Sequence, residues 1–234
     1  MIHSQAASDK YLQETKHLNF THHKIASSLT RCVKPSMTNT QKAIAIHDFV
    51  RDEIKFGFSR NFWNETASNV LTNKIGFCNN KSTLFVAMLR AAKIPARIRV
   101  FALSKDVLKN ILDPGTKYVD HSIVEVFLND KWIQVDSHIV DTKLSESAQK
   151  KLPREIKLGY GIRQNSCRVW DGKSDCFSQL DKLFIKEDFG IFNDIGEFYK
   201  SNSKHYNKIN LIQRFFYRLS YKGINDKINN IINF

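Results

Sequence analysis

The chain has 234 residues, 42% of them hydrophobic and 12% aromatic, and a formal net charge of +13. That length and apolar content provide one ample core and exclude a disordered chain, while the charge points to acidic substrates or partners. No apolar run approaches the roughly 18 residues of a membrane span, and Met1 to Lys10 lack the apolar stretch of a secretory signal, so a cytoplasmic protein is expected.

In chain order, residues 8–33 and 38–56 read as mostly helical. Thr38, with Gln41 three residues on, forms a capping box that opens the second of them. Arg60 to Asn69 reads as a loop over the next helical segment. In Ile75-Gly76-Phe77-Cys78 a lone cysteine stands just past a glycine turn, and Leu84, Phe85, Met88, Leu89 and Ala92 then recur at helical spacing. The pattern predicts a helix over 79–92. A thiol at its start lies at the positive end of the helix macrodipole, which favours the nucleophilic thiolate. Most free cysteines are only small buried residues, so the case for Cys78 rests on its partners further along the chain.

Pro95 ends that helix, and the β-branched alternation from Ala96 to Phe101 reads as a strand. Tyr118–Leu128 and Lys131–Asp136 are two alternating runs joined by Asn129-Asp130, a strong hairpin signal. With that turn closed, Phe127 faces Trp132, Glu125 faces Gln134 and Ile123 faces Asp136. His121 and Asp136 become diagonal neighbours on one face, about 7 Å apart at the backbone and within side-chain reach. A one-residue bulge would move Asp136 to the other face. Cys78, His121 and Asp136 are the residue types of thiol acyl transfer: the imidazole takes the thiol proton, and the carboxylate orients it and stabilises the imidazolium. The Cys78 backbone N–H, freed at the helix start, is the first candidate oxyanion donor, and Trp63 is a second. His138 faces His121 across the hairpin and is the rival base. Asp120 points to the opposite face of its strand.

These motifs resemble the transglutaminase-like superfamily. The resemblance rests on Gly76-x-Cys78, on Leu84 through Arg97 with its Ile94-Pro95-Ala96-Arg97 end, on His121-x-x-x-Glu125-Val126, and on Trp132-Ile133-x-Val135-Asp136. Upstream, Ala43 to Ile54 and Ala67 to Leu71 fit the same pattern, so that it spans roughly residues 11 to 141. Ile123 replaces the aromatic residue usual two positions after the histidine, and Asn79-Asn80-Lys81 is more polar than in common versions. The resemblance implies an α+β fold of papain-like or transglutaminase-like type, with the nucleophile helix packed on an antiparallel sheet, a catalytic core over residues 1–144, and an enzyme acting on peptide or glutamine-type amides by hydrolysis or transamidation. The alternative is a silent scaffold that binds a peptide or partner in the same cleft. Beyond the resemblance the residue pattern itself changes after Pro153, helices are expected to resume after Lys186, and residues 145–234 read as a basic, aromatic-rich, mostly helical extension packed on the core.

Cys32, Cys78, Cys167 and Cys176 show no C-x-x-C spacing, and no acidic loop has calcium-ligand spacing, so neither metal nor cofactor is expected. Cys167 and Cys176 could pair, but reduced thiols are the expectation for a chain without a visible signal. From Phe198 to Phe234 seven basic residues stand against one acid. Within this tail, Ile209 to Leu219 reads as an amphipathic helix with Arg214, Arg218 and Lys222 in one row and Ile212, Phe215, Phe216 and Leu219 opposite. The expected arrangement packs the apolar face on the core and leaves the basic row in solvent, where it could meet an acidic partner or a membrane surface. Nothing resembles a groove-reading module, so nucleic acid is not an expected partner.

Overall fold

The computed structural model describes residues 9–201, 206 and 210–233. A 3₁₀ turn at Lys10–Leu12 and helix α1 (His23–Cys32) come first, so the helix expected over 8–33 occupies only its second half. Helix α2 (Asn39–Glu53) opens on the capping box as read, the Thr38 hydroxyl accepting the Gln41 N–H and the Gln41 side chain accepting the Thr38 N–H. A short parallel pair, β1 (Lys55–Phe56) with β2 (Ile75–Gly76), brings the chain up to the cysteine. Between them the expected loop contains a 3₁₀ turn at Phe62–Asn64 and helix α3 (Ala67–Asn73). Thr66 caps α3, whose Val70 and Leu71 are buried, and that local chemistry outweighed the polar look of the segment.

Helix α4 (Cys78–Ala91) is the central element, and every residue from Cys78 to Arg90 is buried. Gly76 permits its approach, since a Cβ there would lie 2.9 Å from Cβ of Asn80. Its polar residues survive burial by binding neighbouring elements. Asn79 donates to the Tyr199 hydroxyl at 2.5 Å and Asn80 to the Phe62 carbonyl at 2.9 Å. Lys81 donates to the carbonyls of Arg51 (3.0 Å) and Ile54, capping the end of α2. Arg90 binds the carbonyls of Gln13, Ala96 and Asn193 at 2.6–3.0 Å. The polar run after the cysteine therefore holds the fold together.

Against α4 lies an antiparallel sheet of β3 (Ala96–Ser104), β4 (Tyr118–Leu128), β5 (Lys131–Val135) and β8 (Ile185–Phe192), in the order β5-β4-β3-β8. Asn129 and Asp130 both take positive φ (49° and 61°), the geometry that a two-residue hairpin turn demands. The β4–β5 register pairs Glu125 with Gln134 and Phe127 with Trp132, as read from the sequence. Arg97 and Glu125 face each other across β3 and β4 and are ion-paired at 2.6 Å, with the Arg97 guanidinium stacked 3.8 Å from the Trp132 ring. Three residues of the recognised pattern thus serve the sheet.

Helix α5 (Thr142–Lys151) spans the boundary drawn at 144, and the chain beyond it is built into the core. A small hairpin of β6 (Leu158–Gly159) and β7 (Ile162–Arg163) leads to a disulfide between Cys167 and Cys176, whose Cα atoms are 5.6 Å apart. This corrects the expectation of reduced thiols; the loop between them returns on itself, which spacing alone does not reveal. Strand β8 interrupts the extension expected to be mostly helical. It holds to the free edge of β3 through backbone pairing and an Arg99–Asp188 ion pair, with no apolar alternation to announce it. Helix α6 (Ile195–Ser201) comes next, then α7 (Leu211–Ile232).

Helix α7 reverses the expected faces. Leu211, Ile212, Phe215, Phe216 and Leu219 are exposed, Phe215 by 61% and Leu219 by 69%. Arg214 and Arg218 instead lie over the Trp63 ring at 5.1 and 5.5 Å, and Arg218 also donates to the Asn61 side chain at 2.9 Å. Tyr217, on the same side, donates its hydroxyl to the Ser59 carbonyl at 2.6 Å. An aromatic acceptor on the opposing surface decided the docking, and a helical wheel of α7 contains no information about it. Lys204 and Lys208 of the basic tail, and residues 1–8, lie outside the described residues. Among the described residues no helix is long and apolar enough to cross a membrane.

Candidate active site

Cys78 is the first residue of α4, and its side chain is buried at the end of an apolar cavity. His121 projects from the middle of β4, and Asp136 follows the last residue of β5. The hairpin register brings the last two together: His121 Nε2 lies 2.9 Å from Asp136 Oδ2, both side chains buried. That contact leaves the other imidazole nitrogen for the Cys78 sulfur, which is within hydrogen-bonding reach of the ring. The sulfur also meets Asn79 Oδ1 at 3.5 Å and the Asp120 carbonyl at 3.7 Å. Burial works against a charged imidazole, but the Asp136 carboxylate and the Cys78 sulfur more than offset it, and the His121 pKa is pushed up to about 9.

Asp136 is held by a device that the sequence reading missed. Its carboxylate accepts the N–H of three successive residues, Ser178, Gln179 (3.3 Å) and Leu180 (2.7 Å). The Cys176 carbonyl accepts the N–H of Asp136 at 3.1 Å and of Ser137 at 3.3 Å, and the Cys176 N–H returns to the Gln134 carbonyl. The disulfide therefore fixes the start of the segment whose amides cradle the carboxylate. Backbone donors carry no residue signature, so the only sequence signal was the cysteine spacing itself.

His138 is buried 3.2 Å from the Ser82 hydroxyl, and burial first, then the positive groups His47, Lys81 and His121, holds its pKa well below the usual value. It sits behind the site as a neutral ring. His47 braces the same region, its Nε2 2.8 Å from the Ser137 hydroxyl. Lys81 is pushed down to about 7 chiefly by burial. Asp120 accepts the Tyr206 N–H at 2.8 Å and lines the same cavity as Cys78 and His121. Trp63 packs against Arg214, Arg218 and Tyr217 and does not line the cavity at Cys78, whereas its neighbour Phe62 does. The Cys78 N–H, at the first helical position, has no partner within its helix and faces no such obstacle to an oxyanion role. Among the described residues no three His, Cys, Asp or Glu side chains gather as a metal site would require.

Residues 26–137 match the sequence pattern of the transglutaminase-like superfamily, and the chain carries a transglutaminase-like domain over that span. Among solved structures, it is similar to a protein of Cytophaga hutchinsonii proposed to be a cysteine protease, at 14% identity and a TM-score of 0.50, over 82% of this chain and 48% of that one. A structure described as a TGase matches 61% of this chain and 38% of its own, at 16% identity and a TM-score of 0.37. The chain thus spans about half the length, or less, of these structures. No curated protein matches it.

Proposed function

We propose that this transglutaminase-like chain is a cysteine-dependent enzyme that transfers an acyl group out of an amide. The Cys78 sulfur attacks the amide carbonyl carbon, and the Cys78 N–H receives the developing oxyanion at the helix start. The C–N bond then breaks, the amine or ammonia leaves with the proton carried by His121, and a thioester remains on Cys78. A water or a second amine gives its proton to His121, attacks the thioester, and releases an acid or a new amide with the thiol restored. Asp136 keeps the imidazole oriented throughout. Peptides, proteins and other amides are the substrate class, and hydrolysis and transamidation differ only in the acceptor. The chain's net charge of +13 favours acidic partners.

The observation that carries this reading is the buried imidazole of His121, bonded to Asp136 and reaching the sulfur of Cys78 at the start of a helix. Acid quenching during turnover of a peptide library, with and without a primary amine, followed by intact mass spectrometry, tests it. The expected result is an acyl adduct on Cys78, shortened in lifetime by the amine and absent in Cys78→Ala. A peptide-binding scaffold would retain peptide and form no adduct.

A further inference from the structure

The cavity that Cys78 and His121 open onto measures about 260 Å³. Its walls come from separate parts of the chain. Phe56 ends β1 and Phe58 follows it, Phe77 precedes the cysteine, Leu112 lies between β3 and β4, Val119 near the start of β4, and Ile224 arrives from α7. Phe58 and Phe77 stack with ring centroids 5.4 Å apart, so one wall is a rigid aromatic surface beside the sulfur.

The carboxylate and amide side chains at the cavity are already engaged. The Asp113 carboxylate takes Lys105 Nζ and the Gly115 N–H, both at 2.9 Å. Gln179 donates its amide to the Gly161 carbonyl at 2.6 Å, and Asp120 accepts the Tyr206 N–H at 2.8 Å. Among the described residues neither lysine nor arginine lines the space, and the His121 imidazolium there is already paired with Asp136. An acidic side chain would therefore meet the Asp113 and Asp120 carboxylates without a free cation among those residues to balance it. The described lysines and arginines lie elsewhere. An apolar group entering the cavity leaves these bonds intact and removes its own surface from water. The volume suffices, since an apolar cavity of about 150 Å³ accommodates a benzene ring.

We infer that the acyl donor carries a large apolar group, an aromatic ring or a branched aliphatic chain, next to the carbonyl that Cys78 attacks, and that this cavity selects it. The inference rests on the proposed thiol chemistry and adds the substrate class to it.

Capped amino-acid chloromethyl ketones, which alkylate a thiol with loss of chloride, test both separately. The rate of Cys78 labelling is followed by intact mass for the phenylalanine, leucine, glycine, glutamate and lysine reagents, with iodoacetamide as the reagent that has no side chain. Phenylalanine and leucine reagents are expected to label about tenfold faster than glycine, or more, as occupancy of an apolar pocket typically gives. Equal rates for phenylalanine and glycine, or a fastest rate for glutamate or lysine, would overturn the inference while leaving the thiol reading intact. Failure of every reagent, iodoacetamide included, would overturn the thiol reading as well. Leu112→Trp fills the cavity and should bring the phenylalanine-to-glycine ratio towards one, with Leu112→Phe as the milder filling if tryptophan prevents folding. A ratio unchanged in the folded variant would mean that the selectivity arises elsewhere.

Discussion

Asp136 accepts four N–H groups, three from the backbone and one from His121, and each of those donors is buried with it. Removing the carboxylate strands the backbone donors, at about 1–3 kcal/mol for each one left without an acceptor. Asp136→Ala should therefore lower both activity and Tm at any pH, whereas His121→Ala should lower kcat by a factor of roughly 10³ and lower Tm only below about pH 9, where the imidazolium contributes. Paired thermal melts and steady-state rates separate the two effects. The raised pKa of His121 has its own consequence. Because the folded value of about 9 stands above the ordinary 6.5, the imidazolium stabilises the fold fully below that ordinary value and its contribution is lost as pH rises through 9. Wild-type Tm should fall between pH 7 and 10 more steeply than that of His121→Gln, and kcat/KM should decline near pH 9 as the leaving group loses its proton source. The His121–Asp136 contact was legible because a hairpin has period two and a fixed turn. The cradle was not, because it is made of main-chain amides some 42 to 44 residues further along.

Two elements owe their placement to partners that lie far off in sequence. The segment after Cys176 holds Asp136, and the disulfide to Cys167 anchors the start of that segment. Changing both cysteines to serine should cost about 2–4 kcal/mol of stability and lower kcat, since the cradle loses its tether. Treating the wild type with dithiothreitol should reproduce the loss, and the double variant should not respond to the same treatment. The second element is α7, whose amphipathic pattern was readable over Ile209 to Leu219 but whose docking side was not. Arg214 and Arg218 sit on Trp63 while Phe215, Phe216 and Leu219 meet solvent. Reversing the two arginines to glutamate should destabilise the protein by about 1–2 kcal/mol in total, from two lost cation–π contacts of about 0.5–1 kcal/mol each. Exchanging the three exposed apolar residues for serine should leave Tm within about a degree or two, because little burial is lost. Denaturant midpoints of the two variants decide between the faces.

Across the whole molecule the recognisable pattern ends near residue 137, yet the structure does not divide there. Strand β8 completes the sheet by pairing with β3, Tyr199 of α6 accepts a hydrogen bond from Asn79 beside Cys78, and Ile224 of α7 walls the cavity. Arg90, near the end of α4, binds carbonyls far apart in the chain, Gln13 and Asn193. An extension that supplies a sheet strand and a carboxylate cradle cannot unfold without opening the site, nor can the core keep its buried arginine satisfied without the extension. The chain should therefore melt in one cooperative transition, with a calorimetric enthalpy matching the van't Hoff value. Loss of Cys78 reactivity towards the preferred alkylating reagent should track the same midpoint as the circular dichroism of the helices. Two separated transitions, with the thiol site surviving the first, would show that residues beyond 145 form an independent unit and that the contacts to β3, Asn79 and Asp136 are too weak to couple it to the core.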